Sequence, residues 1–244
     1  DLTAATPIQV ARGSVVSDGD GMRQATLLVP QGAQATMVMA DGATQPLSTL
    51  HVRATEYTVG DSGLQAMPGE LPAQSGYTYA VELSVDEALA AGAQEVRFDR
   101  PLYYYVENFL GFRAGMNVPA GYYDRSRGSW IAAPDGRVVQ IVGVVDGLAQ
   151  VDSNGDGAAD DDPLLGFTAT ERQTLATLYA VGQTLWRVPI MHFTPWDFNW
   201  PYRLPDDATP PPAAALQQER LVDAACEVSG SILECENQVM GERV

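Results

Sequence analysis

The chain contains no lysine, so all 14 of its basic residues are arginine. That absence removes Schiff-base chemistry and the phosphate-binding lysine of P-loop proteins at a stroke. Histidine is nearly as scarce, with His51 and His192 the only two. A Ser-His-Asp triad would have to recruit one of them, and neither lies near a G-x-S-x-G elbow; a zinc site would be short of ligands. Long apolar runs are missing too: the longest, Val138–Val145, is interrupted by Gln140 and Gly143, well below the roughly 20 residues that span a bilayer. No direct membrane insertion is therefore expected. Positive charge is short overall, since 31 acidic residues against 14 basic ones leave a formal charge of −17. A surface this negative repels nucleic acid and anionic lipid and has divalent cations as its natural partners. Only two cysteines occur, Cys226 and Cys235, the expected partners of one local disulfide in an oxidising compartment.

What is present reads as a mainly β protein. The 244 residues are 45% hydrophobic, ample for a core. Runs rich in strand-forming residues at Ala25–Val29, Thr36–Met39, Leu50–Thr58, Tyr77–Ser84, Glu95–Phe98 and Leu102–Val106 are separated by turn clusters. Asp18-Gly19, Asp41-Gly42, Asp61-Ser62-Gly63 and Asp135-Gly136 carry the chemistry of turns between antiparallel strands. An antiparallel β-sandwich over residues 1–145 is the economical reading, with one helical turn at Asp86–Ala91 stopped by Gly92. From 146 to 204 the pattern changes to an aspartate-rich loop, one clear helix over about 169–181 and an aromatic segment. Thr168 and Glu171 form a capping box at the start of that helix, Leu175, Leu178 and Tyr179 share its apolar face, and Gly182 is the expected left-handed stop. Residues 205–244 open with four prolines between Pro205 and Pro212, a stiff linker. The chain begins at Asp1 with neither methionine nor signal-like segment, so it is expected to be a piece of something longer.

Two motifs point to chemistry. Asp152-Ser153-Asn154-Gly155-Asp156-Gly157 fits D-x-N-x-D-G, the spacing by which a loop wraps a calcium ion in oxygen ligands. Asp152, Asn154, Asp156, the Ala158 carbonyl and Asp160 are the expected ligands. The twelfth place is Pro163, where an EF-hand has its bidentate glutamate, so the loop resembles the shorter ones of dockerins and thrombospondin type-3 repeats. A solvated acidic turn is the plain alternative. His192-Phe193-Thr194 is a candidate self-cleavage site: the Thr194 hydroxyl attacks the Phe193 carbonyl, His192 moves the proton, and water resolves the ester. The alternative is that Thr194 packs in a loop and His192 is an ordinary core histidine.

Between Trp186 and Tyr202 the chain holds three of its four tryptophans, interleaved with Pro189, Pro195 and Pro201. Proline removes a donor and restricts its neighbour, so this segment is expected to be an ordered aromatic loop and not a helix or a central strand. Trp186, Trp196, Trp200 and Tyr202 then either anchor the fold or form a docking surface; exposed rings would also suit a carbohydrate-binding platform.

These residues carry two resemblances. Gly230–Glu242, G-S-I-L-E-C-E-N-Q-V-M-G-E, resembles the stretch that precedes the first YD repeats of large bacterial RHS-repeat proteins, teneurin-like and of the polymorphic-toxin type. Gly121–Arg125 (G-Y-Y-D-R), the calcium-type loop and Trp186–Asp197 (W-R-V-P-I-M-H-F-T-P-W-D) are similar to the region upstream of that shell. The resemblance implies a secreted or cell-surface bacterial protein, the hollow β-shell as partner, and a non-enzymatic plug or cap as role. Residues Ala11–Phe112, with Ala25–Ala33 (A-T-L-L-V-P-Q-G-A), resemble the β-sandwich of ankyrins, netrin receptors and a self-cleaving death-domain adaptor. That family's His-Phe-Ser site falls on His192, Phe193 and Thr194, with threonine in place of serine and Pro195 after it.

Overall fold

The computed structural model describes residues 1–60, 62–71, 76 and 78–200. Tyr202, Cys226, Cys235 and the 205–244 segment lie outside them. In chain order the elements are β1 (Ile8–Asp18), β2 (Gly21–Pro30), β3 (Ala35–Val38), β4 (Thr44–Leu47), β5 (Val52–Glu56), β6 (Ala80–Val85), α1 (Asp86–Ala91), β7 (Glu95–Glu107), β8 (Asn117–Val118), β9 (Gly121–Asp124), β10 (Ser129–Ala132), β11 (Gly136–Val145), β12 (Leu148–Asp152), α2 (Ala169–Leu178), β13 (Thr184–Phe193) and β14 (Pro195–Asp197). The chain is mainly β and antiparallel, as its strand and turn signals require. Nine strands form the larger sheet along β1-β2-β7-β13-β11-β12, with β3 beside β7, β4 beside β3 and β8 beside β11; five form the smaller, in the order β10-β9-β14-β6-β5.

Period-two alternation distributes the larger sheet's side chains between two clusters. Leu102, Tyr104, Val106, Trp186, Val188 and Ile190 face the smaller sheet. Tyr105, Leu185, Val139 and Ile141 face the other way, under Leu175 and Tyr179 of the α2 region. Strands buried on both faces read as nearly continuous apolar runs, such as L-Y-Y-Y-V at Leu102–Val106.

The first part of the aromatic segment, up to Phe193, is a strand at the centre of the larger sheet, and Pro195–Asp197 form a strand of the smaller one, which corrects the expectation of a loop. β13 pairs with β7 from Leu185↔Glu107 to Phe193↔Val96, and with β11 only over Thr184–Arg187. Pro189 therefore sits past the end of the β11 ladder, where one flank of the strand is unpaired and a missing N–H breaks no ladder on that side. β13 is the strand that joins β7 to β11, so stretches on both sides of residue 145 share one sheet.

Helix α2 stops at Leu178, three residues before the expected end. Tyr179 takes extended backbone angles and its ring is buried beside Tyr105. Gly182, at φ +91, instead serves the turn into β13, its N–H donating to the Ile141 carbonyl at 2.7 Å. The Thr168 cap forms, its Oγ1 accepting from the Glu171 N–H at 3.0 Å. The second half of the capping box does not, because the Glu171 side chain is drawn inward. α1 ends at Gly92 in the left-handed conformation, as expected.

Candidate functional site at the corner between the sheets

A single residue, Thr194, separates β13 of the larger sheet from β14 of the smaller one. The corner is held from several sides. Phe193 is buried edge-on against Phe98, with ring centroids 4.8 Å apart; the Leu83 N–H donates to the Thr194 carbonyl at 3.2 Å; and Trp196 Nε1 donates to the His192 carbonyl at 3.1 Å. Thr194 is 4% exposed. Its Oγ1 lies 3.2 Å from His192 Nδ1 and 3.3 Å from the Pro195 carbonyl. One hydroxyl proton cannot serve both acceptors. If Nδ1 is unprotonated the imidazole accepts it, which is the arrangement a base needs; otherwise the ring donates and Thr194 turns to Pro195.

The His192 ring is wedged between Tyr122, at 4.4 Å, and Trp196, at 5.1 Å. Burial holds its pKa below the usual histidine value, so the imidazole is neutral at pH 7. Two cavities open beside it. One, of about 380 Å³, is lined by polar and apolar groups in similar measure and is bounded by the β3–β4 turn, Glu95, Arg97, Tyr122, Asp124 and Arg125. The other, of about 640 Å³, is mostly apolar and is lined by Tyr103, Pro189, Met191, Leu164 and Trp196 among others.

The structure brings together His192 and Thr194 and treats the aromatic residues differently from a docking surface. Trp186 and Trp196 are 0% and 2% exposed, in the main core. Trp186 Nε1 donates to Asn108 Oδ1 at 2.8 Å. Trp200, partly buried, stacks on Phe112 at 4.0 Å and packs on Trp186 at 4.7 Å. Of the two readings open for this segment, anchor or docking platform, these three residues realise the anchor.

The Asp152–Asp160 loop is a run of side-chain-to-backbone turns. Asp152 accepts from the N–H groups of Asn154, Gly155 and Gly157, Asn154 from Asp156, and Asp156 from Ala158. Asp160 turns back to Ser153 and to the Asn154 amide. Gly155 and Gly115 let two backbones touch: a Cβ on Gly155 would sit 2.3 Å from the Ala114 carbonyl, and one on Gly115 2.4 Å from that of Asn154. Among the described residues no group of three or more His, Cys, Asp or Glu side chains is placed to hold a metal ion. The loop thus has the bends its spacing demands, while its three aspartates are not gathered into one cluster.

Two arrangements escaped the sequence. Arg187, 3% exposed, pairs with Glu171 of α2 at 2.8 and 3.0 Å, shares Tyr105 Oη, and is sandwiched between the Tyr103 and Phe167 rings. An arginine inside W-R-V-P-I was the available signal. The other is Asp197 and Asn199. Asp197 is 3% exposed, its Oδ2 has no hydrogen-bond partner among the described residues, and burial pushes its carboxyl up to about 7. Asn199 Nδ2 donates to Asp197 Oδ1 at 3.3 Å, while Asn199 Oδ1 accepts from the N–H groups of Thr78 and Tyr79 at 2.6 and 3.0 Å.

Comparison of the chain with protein-family models, curated proteins and solved structures finds no significant match.

Proposed function

We propose that this chain is a non-enzymatic β module that precedes and caps or plugs the shell of a secreted RHS-repeat protein. The observation that supports this reading is how firmly the chain is gripped where it leaves the β body. Phe198 N–H donates to Tyr79 O, Asn199 bridges to Thr78 and Tyr79, and the Gly76 N–H donates to Trp200 O. The residues that follow, with their resemblance to the shell lead-in, thus start from a fixed position and direction, which a cap needs and an independent tethered domain does not. Calcium at Asp152, Asn154, Asp156, Ala158 and Asp160 is part of the proposal and rests on the loop spacing. A ligand bound only by the folded state stabilises it. Added calcium should therefore raise the thermal midpoint and chelator should lower it; an unchanged midpoint removes calcium from the reading.

A second reading is favoured by the Thr194–His192 contact. Here Thr194 Oγ1 attacks the Phe193 carbonyl carbon, the Phe193–Thr194 C–N bond breaks, and the Thr194 nitrogen takes up the hydroxyl proton by way of His192. Water then cleaves the ester, leaving a carboxylate on Phe193 and a new amino terminus at Thr194. Intact mass under denaturing conditions separates the two readings. A cap gives one species near 26.1 kDa. Self-processing gives two whose masses sum to the chain plus one water, and Thr194→Ala restores a single species. The sugar-platform reading, on Trp196, Trp200 and Tyr202, loses Trp196, which is buried, and finds Trp200 stacked on Phe112.

A further inference from the structure

We propose that the cleft of mixed polar and apolar lining in front of the His192–Thr194 corner is a binding site for a neutral, hydroxyl-rich ligand of saccharide size. Four separate stretches build it: the β3–β4 turn from Val38 to Gly42, the start of β7 at Gln94–Arg97, the β9–β10 turn at Asp124–Ser126, and the corner itself. Its volume of about 380 Å³ lies at the lower end of the range for small-molecule pockets.

Charge balance sets the ligand class. Each charged wall residue already has an opposite partner: Glu95 with Arg97, Asp124 with Arg127, and Arg125 with Glu82. An anion or a cation would have to compete with an existing ion pair for its counter-charge. A neutral polyol would not, because the pairs leave hydrogen-bonding capacity unused. Arg97 spends Nε on Glu95, and Arg125 spends Nη2 on Glu82, so the remaining guanidinium N–H groups of both can donate. Among the described residues the Tyr122 hydroxyl and the Gln94 side-chain amide make no hydrogen bond, which adds a donor-acceptor at each. Donors and acceptors interleaved with no net charge, beside apolar surface from Val38 and Met39, match a sugar ring with its alternating hydroxyls and C–H face. This site differs from a tryptophan platform in both place and chemistry.

The test is saturation-transfer NMR on the full chain with glucose, N-acetylglucosamine, maltose and cellobiose as probes, with glucuronate and glucosamine as charged counterparts. The expected result is saturation transfer to at least one neutral probe, with affinity weakened about fivefold or more, roughly 1 kcal/mol, by Tyr122→Phe and by Arg97→Ala. Arg97 is exposed and Tyr122→Phe keeps the ring, so both variants should fold; a matching thermal midpoint verifies that. Leu164→Ser, at the other cavity, should change nothing. The proposal is overturned if no neutral probe receives saturation, if both cleft variants bind as well as the parent, or if a charged counterpart binds about tenfold tighter than its neutral analogue.

Discussion

One face of the nine-stranded sheet meets the smaller sheet through apolar and aromatic side chains, Leu102, Tyr104, Trp186 and Val188 among them. The other meets α2 through a smaller cluster with a fully desolvated ion pair, Arg187–Glu171, at its heart. The two faces teach different things about specification. An apolar interface tolerates many combinations of similar volume, so it fixes that two layers pack but not in which register. A buried pair has one satisfactory geometry: Glu171 must reach Arg187 and Tyr105 together, which fixes the rotation of α2 and its position along the sheet. Such a pair costs desolvation that its Coulomb attraction only partly returns, so we take the second face to be set for placement more than for stability.

The largest expected effects come from damaging either face. Trp186→Ala should cost about 3–5 kcal/mol by opening a cavity in the main core, read from chemical denaturation. Glu171→Ala should cost about as much, 3–5 kcal/mol, because it strands a buried guanidinium. The comparison is sharpened by replacing both partners: Arg187→Met with Glu171→Leu should recover most of that loss, and a double variant no better than the single one would show that the pair itself stabilises the fold. A smaller effect of opposite sign is expected at Asp197. Its carboxyl is pushed from an ordinary 3.8 to about 7 in the folded chain, so the folded state holds a proton that the unfolded state releases. Stability is then highest below about pH 4, falls as pH rises towards 7 and is level above it. Asp197→Asn should remove that slope and raise stability at pH 8 by on the order of 2–4 kcal/mol, with almost no gain at pH 4. The smallest effect is at the edge of the α2 face, where Thr168→Ala loses a helix cap worth about 1 kcal/mol.

How far the sequence spoke depended on whether a feature was local. Strands β2, β3, β5 and β6 lie where branched and aromatic runs put them, and the Gly92 stop and Thr168 cap are local hydrogen-bond chemistry. The β11–β12 hairpin is equally local: Asp146-Gly147 has φ of 51 and 77, the two left-handed residues of a tight hairpin turn. β13 failed for a different reason. Its prolines argue against a central strand only if both flanks are paired, and where the β11 ladder ends is a property of the whole sheet. Glu171 was misassigned because a capping box and a buried ion pair begin with the same residue; the choice was made by Arg187, 16 positions away. At the candidate site, the sequence marked His192 and Thr194 but could not place Tyr122, Glu95 or Arg125 beside them, since those come from two other parts of the chain, the start of β7 and the β9–β10 hairpin.

Because β13 runs through the middle of one sheet and continues past Thr194 into the other, a pull on the chain beyond Trp200 is not borne by a peripheral element. That end of the chain is continuous with Asn199 and with β14, which is laddered to β6 and β9, and through Thr194 with β13, which is laddered to β7. The single-residue corner thus couples the last described strand to both sheets at once.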